Sequence, residues 1–437
     1  MLVPVLVASI TAVAMVVTVL AKPYIEVKKI KIGLYWVVCV LGAILMLVFK
    51  GISFKTTIQG ITADVSVNPI KILLLFLSMT LLSVYLGDAG FFDYVADRIF
   101  IKTHGGKLKL FLILYAVVSI LTIFTSNDVI ILTFTPPICI FAKKAKISPL
   151  PYLLGEFVAA NTWSMIFIIG NPTNVYLAGS FGIGFMDYFS VMAIPTIVGS
   201  LTALLVLLLI FRKDLSSPIP KIEHIDNSNY HGKIPHKVPL ALALIHLSLC
   251  IILLALSDFL GVEMWIICVL LALSLTTFDL VYDLVVEKTA KPIIRSLKKE
   301  PYELIPFVLS MFIIVLALKE CGATNVLNSL LVSENKTDCL KIGFLSAISA
   351  NLLNNIPMSV LFERIIDGQS ISALYGAVVG SNIGAFISPV GALAGIMWNK
   401  ILAGYNIKLS FAKFMLYGIL VAIPTLIATL LTLFVVL

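Results

Sequence analysis

The chain has 437 residues, of which 60% are hydrophobic and only 12% are charged, and its formal net charge is +8. Soluble proteins contain about 25% charged residues and cannot bury an apolar fraction of this size. The apolar residues form uninterrupted runs, such as 197–211 and 415–437, rather than alternating patterns. The composition therefore excludes soluble enzymes, nucleic-acid-binding proteins and outer-membrane barrels. It predicts an all-α polytopic membrane protein in contact with a lipid bilayer.

Runs of about 20 apolar residues can cross the hydrocarbon core of a bilayer, and the chain contains about ten of them. The first run, Leu2–Ala21, is long enough to span, and lysines follow it rather than precede it, so we interpret it as a span and not as a cleavable signal. The predicted spans are 2–21, 32–49, 67–87, 149–180, 187–211, 238–257, 261–285, 303–319, 371–402 and 411–437.

Two further apolar stretches have polar centres. Residues 108–142 form two short arms around Thr125-Ser-Asn-Asp128, and residues 340–366 form two arms around Asn354-Asn-Ile-Pro357. A polar tip between two apolar arms is typical of a hairpin that enters the membrane and returns to the same side. The sequence therefore predicts two re-entrant hairpins.

Basic residues predict the orientation of the chain. Lysines flank the first hairpin on both sides, at Lys102, Lys107, Lys109, Lys143, Lys144 and Lys146. Because cytoplasmic loops are enriched in Lys and Arg, both ends of this hairpin are predicted to be cytoplasmic. With the N-terminus and the C-terminus outside, 24 of the 31 Lys and Arg residues lie in inside segments. We therefore predict a multi-pass protein of the cytoplasmic (inner) membrane, with the second hairpin entering from outside.

The two halves of the chain resemble each other in order. Gly87-Asp-Ala-Gly90 matches Lys319-Glu-Cys-Gly322, a hairpin follows each, and then comes a long span with an Asn and, nine residues later, a Gly. Opposite orientation of the matching spans predicts an inverted repeat, which is typical of secondary transporters. The predicted organisation is N-terminal spans 1–66, first repeat 67–211 with broken helix 149–180, cytoplasmic linker 212–237, connecting spans 238–302, and second repeat 303–437 with broken helix 371–402.

Helix-breaking residues mark the long span of each repeat. Gly170-Asn-Pro172 and Ser388-Pro389 interrupt apolar sequence, and a Pro kink fitted for packing is the alternative interpretation. We predict that both breaks meet both hairpin tips at one site. An Asn side chain both donates and accepts hydrogen bonds, so this site could hold a small hydroxylated solute, an inorganic anion or Na⁺. The candidate residues are Ser126, Asn127, Asp128, Asn161, Asn171, Asn174, Asn354, Asn355, Asn382 and Ser388.

Two acids, Asp128 and Glu156, lie deep in apolar sequence, and intramembrane carboxylates are expensive and usually functional. Both are candidates for coupling transport to H⁺ or Na⁺. The alternatives are a helix cap for Asp128 and a packing acid for Glu156. No Lys or Arg lies deep in a predicted span, which favours a neutral or singly charged solute. The six cysteines, including Cys139 in the first hairpin, lack metal-ligand spacing, so neither a cofactor nor a metal is expected.

At these motifs the chain resembles the arsenite-efflux permease family (ArsB type) of the ion transporter superfamily, over nearly its whole length. The segments concerned are Leu86-Gly-Asp-Ala-Gly-Phe-Phe-Asp93, Ser126-Asn-Asp128, Leu132-Thr-Phe-Thr-Pro136, Asp187-Tyr-Phe-Ser-Val-Met-Ala-Ile-Pro195, Phe211-Arg-Lys-Asp214, Asn351-Leu-Leu-Asn-Asn-Ile-Pro357 and Ile387-Ser-Pro-Val-Gly-Ala-Leu-Ala394. Gly170-Asn-Pro-Thr-Asn174 is more similar to the wider superfamily, which includes carboxylate transporters and sodium/proton antiporters.

The resemblance implies export of arsenite and antimonite, driven by the proton-motive force or assisted by an ATPase subunit, and a homodimer is possible. It carries the polar tips of the family onto Asn127-Asp128 and Asn354-Asn355. Asn161 and Asn382 stand where the family pattern has acids, and Phe386 stands where it has Lys. These departures remove charges from the predicted site, so the coupling ion stays open between H⁺ and Na⁺.

Other functions are compatible with parts of the sequence. Na⁺/H⁺ exchange, or Na⁺-coupled transport of a carboxylate or another oxyanion, would fit the same fold. An intramembrane aspartyl protease would need Asp88 and Asp128 to face each other at one depth, although Asp88 lies at the end of its span. A passive channel would need no coupling residue. The inverted repeat and both broken helices favour a secondary transporter, and arsenite export by alternating access is the leading hypothesis.

Overall fold

The computed structural model describes residues 2–21, 24–27, 30–63, 68–102, 106–219 and 237–437. Most of the predicted linker 212–237 lies outside the described residues, as do Lys28 and Lys29 of the first basic loop. Nearly all of the described chain is helical. A small antiparallel pair of strands, β1 (Tyr24–Val27) and β2 (Ile30–Gly33), departs from the all-α prediction and pairs Tyr24 with Gly33.

The helices fall into four groups along the chain. The first comprises α1 (Leu2–Ala21), α2 (Leu34–Val48) and α3 (Phe54–Thr62). The second comprises α4 (Pro69–Asp88), α5 (Phe91–Lys102), α6 (Lys107–Phe124), α7 (Asn127–Lys144), α8 (Leu150–Trp163), α9 (Pro172–Ser180) and α10 (Phe185–Ile210). The third comprises α11 (Arg212–Leu215), α12 (Lys237–Ala255), α13 (Ser257–Leu260), α14 (Met264–Tyr282) and α15 (Lys291–Leu297). The fourth comprises α16 (Leu304–Glu320), α17 (Ala323–Leu331), α18 (Asp338–Leu353), α19 (Asn355–Ile366), α20 (Ile371–Gly384), α21 (Leu393–Gly404) and α22 (Phe411–Val436).

Seven helices of the described chain are long and apolar enough to cross a membrane. Six of them are predicted spans: α1, α4, α10, α12, α14 and α22. Two other predicted spans are shorter helices, α2 with 15 residues and α16 with 17. The seventh is α6, the first arm of the predicted hairpin 108–142, which is itself 18 residues long. The return of this hairpin to one side of the membrane therefore stays a prediction.

The two halves have the same order of elements. Helices α4 to α10 and helices α16 to α22 each form a span, a short helix, a hairpin, a broken helix and a closing span. They also pack crosswise, because α7 contacts α21, α19 contacts α9, and the closing spans α10 and α22 contact each other. This reciprocal packing is what a two-fold pseudo-symmetric repeat would produce. The opposed orientation of the halves across the membrane stays a prediction.

Glycines bring two helices of the second half close together. Gly376, Gly380 and Gly384 recur every four residues on α20 and face α18. A Cβ at Gly376 would lie 2.4 Å from the Cys339 carbonyl oxygen, and one at Gly380 would lie 2.3 Å from that of Gly343. Small residues at this spacing let membrane helices approach to backbone contact. We refer to these three residues as the glycine stripe.

Alanine at the centre of the glycine stripe is expected to destabilise the protein. In Gly380→Ala the new methyl group would overlap the Gly343 carbonyl, so α18 and α20 must separate, at a cost of about 1–3 kcal/mol. Thermal unfolding in detergent measures this loss as a lower melting temperature. Gly179→Ala in α9 is the matched control, because a Cβ there meets no atom of the described residues within 4 Å. Equal melting of Gly380→Ala and the wild type would contradict the packing argument.

Glu300 lies in the loop between α15 and α16, outside the apolar helices. Its side chain is buried, and neither carboxyl oxygen has a hydrogen-bond partner among the described residues. Burial raises the pKa of Glu300 to about 8, because the charged form loses its hydration. Between about pH 5 and pH 8 the folded protein therefore holds a proton that the unfolded chain releases, so stability falls as the pH rises.

Glu300→Gln is expected to remove this pH dependence. The wild type should lose up to about 1.4 kcal/mol of unfolding free energy per pH unit, relative to the variant, as the pH rises from about 5 to 8. Above pH 8 the difference between the two proteins should level off. Unfolding of both proteins at a series of pH values measures it. A constant difference across this range would show that Glu300 does not titrate as described.

Candidate functional site

The first break separates α8 from α9. Helix α8 ends at Trp163, and α9 begins at Pro172, with Asn171 as its N-cap accepting a hydrogen bond from the Thr173 N–H at 3.1 Å. Proline is favoured at this first helical position because the N–H it lacks would be unpaired there. Gly170 allows the chain to turn back, since a Cβ would lie 2.2 Å from the Ser164 carbonyl oxygen. The break coincides with the predicted Gly-Asn-Pro segment.

The second break separates α20 from α21. Helix α20 ends at Gly384 and α21 begins at Leu393, so Ser388 and Pro389 lie in the non-helical segment between them. A Cβ at Gly391 would lie 2.8 Å from the Gly384 carbonyl oxygen, so this glycine also permits a close approach of backbone. Both predicted broken helices are confirmed. The Asn-to-Gly spacing of nine residues extends from the end of the first helical piece into each break.

Asn382, on α20, is the most highly connected residue of the site. Its Oδ1 accepts hydrogen bonds from the Ser164 hydroxyl at 3.0 Å and from the Asn171 amide at 2.9 Å. Its amide donates to Asn174 Oδ1 at 2.7 Å and to the Val378 carbonyl at 2.8 Å. Three of these four partners belong to the first half of the chain. The first break is therefore held against the helix that precedes the second break.

The tip of the first hairpin joins the same network. The Asn127 amide donates to Asn161 Oδ1 at 3.2 Å, and the Asn161 amide donates to the Phe157 carbonyl at 2.8 Å. The Ser164 hydroxyl lies 2.9 Å from the Asn161 carbonyl oxygen and so connects the tip to the residues around Asn382. All these side chains are buried. We call Asn127, Asn161, Ser164, Asn171, Asn174 and Asn382 the asparagine cluster.

The tip of the second hairpin binds the second break. The Asn354 amide donates to the Val390 carbonyl at 2.9 Å, and the Asn355 N–H donates to the Gly391 carbonyl at 2.9 Å. Asn354 has a φ of 75° and a ψ of 152°, a strained backbone region that residues other than Gly rarely adopt. The nearby Ser388 hydroxyl is buried and has no partner among the described residues. The second tip and the second break thus form one unit with a free hydroxyl.

Three predicted residues, Ser126, Asp128 and Glu156, belong neither to the asparagine cluster nor to the contact between the second tip and the second break. Ser126 accepts a hydrogen bond from the Val129 N–H at 3.4 Å and is the N-cap of α7. The capping role considered for Asp128 therefore belongs to Ser126. Asp128 is only partly buried, and within the described parts of the chain nothing donates a hydrogen bond to its carboxylate. An acid in this position is free to exchange a proton or to bind a cation.

Glu156 is fully buried beside the second arm of the first hairpin. The Thr135 hydroxyl oxygen lies 2.9 Å and 3.0 Å from the two Glu156 carboxyl oxygens. The indole N–H of Trp398, on α21, is close to the same carboxyl but makes no hydrogen bond of normal geometry. Glu156 therefore sits where an element of each half of the chain meets.

The structure adds residues that the sequence patterns missed. Ser164 follows Asn161 by three residues, about one helical turn. This spacing places both on one helix face and could have identified Ser164 as a site residue. The hydroxyl groups of Thr173 and Ser381 form a hydrogen bond of 3.0 Å between the two halves. Glu363, in the second arm of the second hairpin, is 4% exposed, so the chain buries a further intramembrane acid that was not expected. Its neighbour Arg364, in the same hairpin arm and outside the predicted spans, is also mostly buried.

A cavity of about 590 Å³ opens beside the second break. Pro389, Val390, Lys400 and Lys408 are among the residues that line it. The Lys400 ammonium lies 4.4 Å from the centre of the Tyr24 ring, a cation–π contact that holds it beside the cavity. The Val390 carbonyl, which binds Asn354, is part of the same wall. The cavity therefore lies between Lys408, in the loop after α21, and the second break, to which the second hairpin tip is bonded.

Fold and site together define a polytopic membrane transporter. Two broken helices, two polar hairpin tips and crossed packing of matching halves are the architecture in which solutes bind between repeats. The chain belongs to the CitMHS family, described as citrate transporter, whose sequence model matches residues 4–373.

Comparisons with known proteins confirm the predicted resemblance. The arsenical pump membrane protein of Escherichia coli (strain K12) is 28% identical over 379 residues, covering 81% of this chain and 84% of that protein. The putative arsenical pump membrane protein of Bacillus subtilis (strain 168) is 24% identical over 380 residues, covering 81% and 85%. These relatives are named as pumps rather than proteases. Asp88 accepts hydrogen bonds from Ser296, at 2.6 Å, and from Lys299, which leaves little to support pairing with Asp128.

Solved transporter structures share the fold. The Alcanivorax borkumensis YdaH transporter superposes with a TM-score of 0.58 at 12% identity, covering 99% of this chain and 98% of that one. Neisseria gonorrhoeae MtrF, described as belonging to a class of antimetabolite efflux pumps, superposes with a TM-score of 0.52 at 11% identity, covering 99% and 94%. At these identities the likeness concerns the fold alone. It agrees with the predicted architecture of a secondary transporter.

Proposed function

We propose that this protein exports arsenite and antimonite across the cytoplasmic membrane by alternating access. The observation that carries the proposal is the asparagine cluster, a buried and uncharged group of amides and one hydroxyl that joins the two halves at the broken helices. No Lys or Arg is bonded to the cluster within the described chain. Such a site suits a small neutral solute, and the names of the arsenical pump relatives support the choice of cargo.

The chemistry of As(OH)₃ matches the groups that the site offers. Each hydroxyl of this uncharged acid donates one hydrogen bond and accepts others, and an amide can meet both needs. Asn127 Oδ1 and the Ser388 hydroxyl are buried without a partner among the described residues. Buried polar groups without partners cost free energy, which a bound solute would recover. These two atoms are therefore the proposed first contacts of the cargo.

The predicted orientation gives the cavity beside Pro389 a role as the cytoplasmic entrance. The predicted inside segments include 400–413, with Lys400 and Lys408, and both termini are predicted outside. Cargo then enters from the cytoplasm and leaves between the halves on the outer side. H⁺ is the proposed coupling ion, with Asp128 and Glu156 as its binding residues. An ATPase subunit and a homodimer stay predictions of the family resemblance.

Growth in the presence of arsenite and antimonite tests the proposal directly. The host is a bacterium that lacks its own efflux system, and it is compared with and without this chain. Expression should raise the inhibitory concentration of both metalloids and lower their content in the cell. Folded protein in the membrane without any resistance would contradict metalloid export.

A second candidate is Na⁺-coupled transport of a carboxylate or another oxyanion, or Na⁺/H⁺ antiport. The observations that favour an anion are Lys400 and Lys408 in the cavity wall and the family's description as citrate transporter. Melting of the purified protein discriminates between the candidates. Stabilisation by citrate only when Na⁺ is present would support the second candidate. Stabilisation by antimonite without Na⁺ would support the first.

A further inference from the structure

The repeat places two buried carboxyl groups at matching contacts. Thr135 on α7 and Glu363 on α19 each lie eight residues after the Asn that begins the helix, Asn127 and Asn355. Helix α7 packs on α21 of the other half, and α19 packs on α9. Each contact therefore joins the second arm of one hairpin to the second piece of the opposite broken helix. Each also contains an acid and an aromatic residue.

The contact at α7 contains Glu156. Thr135 has one hydroxyl proton, and its closest acceptor is the Ile131 carbonyl at 2.6 Å. The same hydroxyl lies within hydrogen-bond distance of both Glu156 carboxyl oxygens, and a protonated Glu156 could donate to Thr135 while Thr135 donates to Ile131. Apart from Thr135, the groups facing the carboxyl are Trp398 on α21 and Cys139 on α7, and neither carries a positive charge. The contact can therefore accommodate a proton on Glu156.

The contact at α19 contains Glu363. Its Oε2 lies 3.0 Å from Arg364 Nε, but the pair lacks the angle of a hydrogen bond. The guanidinium of Arg364 lies 5.2 Å from the centre of the Phe312 ring. The Tyr176 hydroxyl, on α9, lies near this pair, is 3% exposed and has no partner within the described chain.

A second ion pair, Lys319 with Asp367 at 2.6 Å, is also near Glu363 and more exposed. Glu363 is thus a buried acid with an incomplete set of hydrogen bonds and two cations within reach. Buried polar groups that lack partners in a native fold call for an explanation. Glu363 occupies the position in the second half that Thr135 occupies in the first, and Thr135 contacts Glu156. An explanation must therefore cover both acids. Both acids are explained if one proton passes through the two contacts and binds Glu363 and Glu156 in turn.

We propose that Glu363 takes up the driving proton from the outer side and that Glu156 releases it on the inner side. The inference rests on the proposed function, H⁺-driven export. When the proton binds the Glu363 carboxylate, the acid becomes neutral and Arg364 loses its counter-ion; no other bond forms or breaks. Arg364 is then a mostly buried cation without its counter-ion, which is strongly unfavourable, so the packing of α19 against α9 beside Tyr176 is destabilised. In the predicted orientation this packing closes the site toward the outside. Proton uptake is thereby linked to outward opening.

Antimonite transport in everted membrane vesicles tests the assignment. Two rates are measured for each protein: accumulation driven by a pH gradient, and exchange of internal for external antimonite at equal pH. Glu363→Gln cannot bind a proton, so gradient-driven accumulation should fall by at least about tenfold while exchange persists. Glu156→Gln should behave in the same way. Glu320→Gln, an exposed acid at the end of α16, is the control and should retain both rates.

The outcomes separate this inference from the proposed function. If the wild type does not transport antimonite, the proposed function fails, and the inference fails with it. If the wild type transports and Glu363→Gln matches its gradient-driven rate, the inference alone is overturned. Loss of both rates in a folded Glu363→Gln protein also overturns it, because packing or cargo binding would then explain the effect.

A second variant covers the case in which Glu363→Gln does not fold. Glu363→Asp keeps a carboxyl group but moves it by one methylene away from Arg364 and Tyr176. The pH at which gradient-driven transport is half-maximal should therefore shift, while transport itself is retained. An unshifted pH profile for Glu363→Asp would overturn the role of Glu363 in proton uptake.

Discussion

Replacing Asn382 with alanine is expected to abolish metalloid resistance and to lower the melting temperature. The substitution removes the acceptor for Ser164 and Asn171 and the donor for Asn174. Each buried polar group left without a partner costs about 1–3 kcal/mol, and these three lie between the two halves of the chain. The substitution should therefore lower the stability of the folded state and distort the first break. Growth on antimonite and thermal unfolding in detergent measure the two effects.

Asn382→Asp separates lost hydrogen bonding from lost volume. The aspartate keeps an acceptor for Ser164 and Asn171, but its carboxylate would face the oxygens of Asn174 and Val378, to which the amide donates. Resistance should again be lost, although the side chain has nearly the same size. Asn325→Ala, at an exposed position on α17, is the matched control and should keep full resistance. Wild-type resistance in both Asn382 variants would show that the asparagine cluster is not the transport site.

Asp128→Asn is expected to abolish gradient-driven efflux while leaving the protein folded. Asp128 caps no helix, and among the described residues nothing bonds its side chain, so the amide should cost little stability. An amide cannot exchange a proton at physiological pH or hold a cation as a carboxylate does. We therefore expect normal protein in the membrane, an unchanged melting temperature and loss of at least about tenfold in the driven rate.

The control for Asp128 is an acid in an equivalent place on another helix. Asp187 lies in the first turn of α10, as Asp128 lies in the first turn of α7, but it is exposed. Asp187→Asn should transport normally. Full resistance in cells that express Asp128→Asn would remove Asp128 from the coupling mechanism and leave the proton to other carboxyl groups.

Local chemistry explains which parts of the structure the sequence predicts. Gly170, Asn171 and Pro172 are consecutive residues that together disfavour a continuous helix, so the first break could be predicted from residue types close together in the sequence. A single proline does not suffice, since Pro195 and Pro424 lie inside continuous helices. Long apolar runs such as α22 need only length and composition to be identified as spans. These features depend on neighbours in the sequence and not on partners elsewhere in the fold.

Features that depend on tertiary packing could not be predicted in this way. Glu363 and Arg364 resemble an interfacial charged pair at the end of an apolar arm, and the packing of several helices on α19, among them α9 and α16, buries them. The hydrogen bonds of Asn382 cross more than 200 residues of sequence, so its amide could be recognised as a candidate but not as the centre of the cluster. The two strands before α2 carry no turn residue that would have indicated them.

The glycine stripe limits which parts of this transporter can move. Backbone contact between α18 and α20 leaves no side-chain layer on which one helix could slide along the other, and close-packed interfaces resist shear. Helix α18 leads into Asn354, and α20 carries Asn382. The two helices should therefore travel as one rigid block, with these two asparagines at a fixed separation. Cargo would then meet a pocket of constant shape on this side, while access to it changes through displacement of the opposite half.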